Sequence, residues 1–234
     1  MVPETLRDFA ARDKKRPNPM LPGRAVGAKR HAATLVGIRN FFQWLAAKGI
    51  ISSDPTPGLG LPPTERPEKI IPPLSEIQRL LNAADLSTPV GYRDRAILEV
   101  LYSTGISRRE LMALKVDDVG LKDRTLHVAS RKGKKARLLP LSASAAGYLG
   151  EYLGRVRPMF ANALRKGVGA LFLNQIGTTF SRYDFVYIFQ RVLKRSGMKK
   201  SVTATTLRNS LAAHLLDNGM SVRAVQEFMG RRSR

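Results

Sequence analysis

Two cations in this sequence stand where phosphate chemistry could be done. Lys132 lies in Arg131-Lys132-Gly133-Lys134-Lys135, a basic run between two short alternating apolar segments. Arg208 follows Thr206-Leu207 and precedes Leu211 and Leu215, which with Leu207 form the buried stripe of a helix. A guanidinium presents a planar fork of donors to phosphate oxygens, whereas an ammonium is a compact charge that can also give up a proton. Lys132 taken alone also reads as a solvated charged turn, and Arg208 as a helix-surface phosphate contact without any reaction. Other cations that are candidate phosphate-backbone contacts are Lys29, Arg30, Arg39, Arg108, Arg131, Lys134, Lys135 and Arg137. Arg191, Lys194, Arg195, Lys199 and Lys200 form a further basic run. The chain has no cysteine, and its three histidines, His31, His127 and His214, lack ligand spacing. No metal site and no cofactor are expected.

The charge balance points the same way. Forty Lys and Arg against 18 Asp and Glu give a formal charge of +22 over 234 residues, and a pI near 11.1. Such an excess repels itself in a compact fold unless a polyanion is the partner, and nucleic-acid backbones are the commonest polyanion. The 43% hydrophobic content is enough for a real core. No apolar run reaches the roughly 18 residues of a membrane span, and the N-terminus lacks the apolar stretch of a signal peptide. A cytoplasmic, nucleoid-associated protein is therefore expected.

These residues need elements to position them. Residues 1–27 show little periodicity and contain Pro3, Pro17, Pro19 and Pro22. Ala28 to Lys48 reads as a helix with Leu35, Ile38, Phe42 and Leu45 on one face, ended by Gly49. Phe41, Phe42 and Trp44 read as core. Pro55, Pro57, Pro62, Pro63, Pro67, Pro72 and Pro73 cannot sit in a regular element and mark a stiff connector. Helices are expected from Leu74 to Ala84 with Ser75 as N-cap, Asp94 to Thr104, Arg108 to Leu114, Ala143–Arg155, Tyr183–Ser196, Thr205–Asp217 and Val222–Met229. Strands are expected over Thr125–Ser130 and Ala136–Leu141, making a hairpin around the basic run. The expected domains are 1–57, a linker over 58–73, and 74–234. The fold class is mainly α with a small antiparallel β hairpin.

Four segments, in this order, resemble the tyrosine recombinases, or phage integrase family. The first is Leu101-Tyr102-Ser103-Thr104-Gly105-Ile106 leading to Arg109-Glu110-Leu111 and Leu114. The second is Lys132-Gly133 with Lys135, Arg137, Pro140 and Leu141. The third is Thr206-Leu207-Arg208, then Ala212, His214-Leu215-Leu216 and Gly219. The fourth is Gln226 with Met229-Gly230. Phe41-Phe42-Gln43-Trp44-Leu45, Gly49-Ile50 and Asp54-Pro55 resemble the end of that family's core-binding domain. The resemblance implies a catalytic domain preceded by a short helical, SAM-like core-binding domain. It also implies double-stranded DNA as partner and a metal-free phosphoryl transfer through a 3′-phosphotyrosyl link. Two arginines would clamp the phosphate and a hairpin lysine would protonate the leaving oxygen. Lys132 and Arg208 match two of these positions.

Other positions depart from the pattern. Ser107 stands where the first arginine is expected; Arg108 beside it is a candidate substitute, but one residue along a helix turns a side chain by about 100°. Thr205 and Asn209 stand at histidine positions around Arg208, and Arg231 stands where another histidine follows Met229-Gly230. None of the six tyrosines, Tyr92, Tyr102, Tyr148, Tyr152, Tyr183 and Tyr187, matches the nucleophile. The expectation is a recombinase-family DNA binder, ancestrally a DNA-integration enzyme, that does not cleave alone and assembles weakly or not at all as a tetramer. A second reading is a non-catalytic partner of an active relative or a regulator that occupies its site. A third and more distant reading is a basic RNA-binding protein. His214 is expected to pack rather than react, and Glu110 either to pair with a neighbouring arginine or to serve the site.

Overall fold

The computed structural model describes residues 3–18, 23, 25–62, 71–130, 136–161, 169–198 and 202–230. It divides into two compact units, Met1–Glu68 and Lys69–Arg234.

The first unit holds helix α1 (Glu4–Lys15) and helix α2 (Ala28–Ala47). The first was not expected, because its inward stripe carries a charged residue. Leu6 and Ala10 pack on Leu35, Ile38 and Leu59, but the deepest position of α1 is Asp13, 3% exposed. Asp13 is buried because His31 meets its Oδ2 at 2.8 Å, so His31 is a buried pairing residue rather than a surface one. Arg39 donates from Nη2 to the carbonyl of Leu59 at 2.8 Å, and Asp54 Oδ1 accepts from both the amide and the hydroxyl of Thr56. Leu59, inside the expected connector, thus belongs to this unit's core. Phe41 and Trp44, expected in the core, are 56% and 53% exposed. Phe41 meets the Phe42 ring edge-on at 5.6 Å, but neither Phe41 nor Trp44 joins the buried cluster of Leu35 and Leu59.

The second unit is built around helix α4 (Pro89–Thr104), in which Ala96, Ile97, Leu98, Val100 and Leu101 are all 1% exposed or less. A helix buried on all sides is central. It packs on α3 (Leu74–Asn82), α6 (Ala143–Glu151) and α9 (Ala204–Asp217), and α3 packs on α8 (Arg182–Ser196). α3 starts directly after Pro73, without the side-chain cap expected from Ser75. α4 starts five residues earlier than the sequence suggested, because Thr88 caps it and Pro89 takes its first position. The charged stretch in its first turns looks like a surface and is not one. Arg93 and Arg191 both bond the buried Asp94, Arg93 lies over the Phe180 ring at 4.8 Å, and Arg95 bonds Glu99 at 2.9 Å. Burial is tolerated because each charge has a partner.

Gly91 fixes how tightly the loop before α4 closes. A Cβ there would lie 2.0 Å from the backbone oxygen of Asp85. Gly91→Ala is expected to cost about 2–3 kcal/mol by overpacking, read as a lower urea midpoint; an unchanged midpoint would contradict the close approach.

The sheet has three antiparallel strands in sequence order, β1 (Val119–Gly120), β2 (Thr125–Val128) and β3 (Arg137–Pro140). Leu126 pairs with Leu139 and Val128 with Arg137. Both hairpin strands are shorter than expected, and β1 was missed because two residues carry no alternation. The basic run 131–135, with Arg131, Lys132, Lys134 and Lys135, lies outside the described residues. α6 passes through a π turn, Tyr152–Val156, into α7 (Arg157–Ala161). Helix α5 is only Arg108–Leu111, and α10 is Val222–Phe228.

Candidate phosphate-binding site

α5 begins at a reciprocal cap. The Glu110 amide donates to Ser107 Oγ at 3.3 Å, and the Ser107 amide donates to Glu110 Oε2 at 2.7 Å. Ser107 itself is extended, with φ −76° and ψ 157°. Its hydroxyl therefore has a structural role in starting the helix.

Glu110 joins three elements. It is 5% exposed, and its Oε1 accepts from Arg137 Nη1 of β3 at 2.8 Å. Arg208 Nη1 of α9 lies 3.9 Å from its Oε2. Burial alone would raise the Glu110 pKa, but the hydrogen bonds from Arg137 and Ser107 outweigh it and hold the carboxyl at about 2, against an ordinary 4.5. Arg137 also donates to the carbonyl of Phe228, and Gly230 lies against its guanidinium, where a Cβ would meet Nη1 at 2.9 Å. Arg137, expected to contact DNA, therefore faces inward, with its side chain 12% exposed. Of the expected alternatives for Glu110, pairing with an arginine is the one observed.

Arg208 sits one turn into α9, whose start is fixed by Thr203 and Thr206 capping each other. Its guanidinium donates to the backbone carbonyls of Gly105 and Met229. Gly105 ends α4 in the left-handed region, at φ 59°, which aims its carbonyl at Arg208 and is a conformation glycine adopts without strain.

Ser107, Arg108, Thr205 and Arg208 line one cavity of about 550 Å³. Three positions that the resemblance implied for the site thus come together, although 98 residues separate Ser107 from Thr205. Arg109 and Thr203 also line it, and α8 supplies an apolar wall of Phe185, Val186, Phe189 and Leu193. No carboxylate lines the cavity among the described residues. Three arginines, of which Arg208 has Glu110 behind it at 3.9 Å, beside the N-terminal end of a 14-residue helix, make an electropositive recess suited to an anion. The aromatic wall was not legible beforehand, since it reads as ordinary core periodicity on α8.

The other expected residues lie elsewhere. Tyr102 Oη and His214 Nδ1 are 2.8 Å apart, and burial raises the Tyr102 pKa. His214 therefore packs against α4 and does not line the cavity. Lys29 and Arg30 are exposed on the first unit, whereas Arg39 is engaged with Leu59. Arg191 and Arg195 are paired with Asp94 and Asp85. Arg231, Lys199 and Lys200 lie outside the described residues. Among those described, no cluster of three His, Cys, Asp or Glu side chains could hold a metal, and no helix is long and apolar enough to cross a membrane.

The sequence profile of the phage integrase family matches residues 73–234, and the chain belongs to that family. It is 37% identical over 199 residues to the tyrosine recombinase XerD of Listeria innocua, covering 85% of this chain and 66% of that relative. It thus spans slightly under two thirds of that protein's length. The fold is similar to that of XerA recombinase, with 26% identity, a TM-score of 0.62, and 85% of this chain and 75% of that one covered. It is also similar in fold to XerH site-specific recombinase bound to difH substrate after cleavage, with a TM-score of 0.74 at 19% identity, covering all of this chain and 66% of that one.

Proposed function

We propose that this chain is a DNA-binding protein of the site-specific recombination class, and that its cavity seats a phosphate of double-stranded DNA. The observation that carries the reading is the cavity lined by Arg108, Arg109 and Arg208 and by no carboxylate among the described residues, beside the start of α9. Family membership supplies the substrate class, and the charge of +22 supplies the general attraction to a duplex. Lys29 and Arg30 of the first unit, and Lys132 of the basic run, are further proposed DNA contacts. A cytoplasmic location with the nucleoid follows from that partner.

Strand cleavage is proposed to be weak. Ser107 is committed to capping and Thr205 carries no imidazole. Each missing donor to the developing charge lowers a rate by roughly 10²–10³.

Binding is tested by anisotropy with a labelled duplex across a salt series. Log affinity is expected to fall linearly with log salt, with a slope near −0.9 for each phosphate contacted. Salt-independent affinity would rule the reading out. Cleavage is tested with a nicked suicide duplex. Slow or absent covalent adduct is expected, and rapid adduct formation by the purified protein would overturn the weak-cleavage reading.

A further inference from the structure

We propose that Arg108 is a phosphate-binding residue that supplies the second guanidinium of this site, in place of a side chain at position 107. The inference rests on the DNA-phosphate reading and assigns one of its contacts.

The apparent obstacle was angular: neighbours on a helix point about 100° apart. The structure removes it. Ser107 is the extended N-cap and only Arg108 is helical, so the helical rotation does not relate them. Both residues line the same cavity. Position 107 is also closed to an arginine at low cost, because its hydroxyl completes the reciprocal cap with Glu110.

The three arginines of the cavity differ in what they already bind. Arg208 is held by the carbonyls of Gly105 and Met229. Arg109 is the more exposed and already has a partner. Arg108 is half-buried and makes no hydrogen bond or ion pair among the described residues. A half-desolvated guanidinium without a counter-charge is unfavourable, and an anion entering the cavity relieves that cost. The carbonyls on Arg208 leave it other donors, since a guanidinium has five N–H groups. One phosphate can therefore be shared between Arg208, fixed by the backbone, and Arg108, which is uncommitted.

The test uses the full chain and inorganic phosphate as the probe, followed through the arginine side-chain Nε–Hε resonances. Arg108 and Arg208 are expected to shift together with one midpoint. Arg108→Ala should weaken that midpoint roughly tenfold, and Arg108→Lys by less. Arg155→Ala, at an exposed arginine paired with Glu151 and outside the cavity, should leave it within about twofold. A purely structural role for Arg108 would move thermal stability but not the phosphate midpoint of Arg208. If Arg208 shifts and Arg108 does not, or if Arg108→Ala leaves the midpoint unchanged, the assignment of Arg108 is overturned while the phosphate reading stands. If neither arginine shifts and duplex affinity ignores salt, the phosphate reading itself falls.

Discussion

Glu110→Ala is expected to lower stability by about 3–5 kcal/mol, because it leaves a buried arginine without its counter-charge. Arg137 is 12% exposed, and its Nη2 is already buried without a hydrogen-bond partner among the described residues. Losing the carboxylate removes its ion pair and also the acceptor for the Ser107 amide. The effect should appear in urea unfolding as a lower midpoint with an unchanged slope. The same carboxylate sets a pH dependence. Its folded pKa of about 2 lies below the ordinary 4.5, so its contribution is fully present above pH 4.5 and is lost as pH falls toward 2. The depression corresponds to about 3 kcal/mol. Glu110→Gln should flatten the stability profile over that window while lowering it above pH 4.5. A parallel profile for wild type and variant would show that another group governs the acid limb.

Arg208→Ala is expected to weaken duplex binding by roughly 10- to 100-fold, the loss of a charge-assisted contact to phosphate. The salt slope should become shallower by about 0.9, the signature of one phosphate no longer neutralised. Arg208→Lys keeps the charge but loses the planar fork and should recover only part of the affinity. Because Arg208 also holds the carbonyls of Gly105 and Met229, both variants should lose stability. Binding must therefore be compared under conditions where circular dichroism shows the chain folded. A folded Arg208→Ala protein with wild-type affinity and slope would exclude this residue from the DNA contacts.

The residues explain what could and could not be read beforehand. α2, α8 and α9 were legible within a residue or two, because their apolar positions repeat at helical spacing and Gly49 marks the end of α2; the caps Ser181, Gly197 and Thr203 are supplied by the structure. α1 and the start of α4 were not. Their buried positions include Asp13, Arg93, Asp94 and Arg95, and a paired charge looks in sequence like a solvated one. Phe41 and Trp44 failed in the opposite sense, since hydrophobicity alone does not say whether a partner surface is present. In the site, Arg208, Ser107 and Thr205 were found through the family resemblance, and the structure places all three at one cavity. The inward turn of Arg137 and the α8 wall depend on contacts between residues tens of positions apart. Local periodicity carries no trace of these.

The π turn between α6 and α7 has a consequence for how this chain can change length. Helix, π turn and helix run without a break from Ala143 to Ala161, but the wider turn holds one residue more than an α-helix would, an offset of about 100°. On one side of it, Tyr152 Oη accepts from the Leu173 amide at 3.0 Å. On the other, Arg157 Nη2 donates to the Ala170 carbonyl at 2.7 Å. Deleting a single residue between them would leave a continuous helix of good composition, yet would rotate one of these anchors away from the strand-like segment both hold. This stretch therefore accepts changes of residue type far more readily than changes of residue number, and any alignment that places a gap inside it misassigns one of the two anchors.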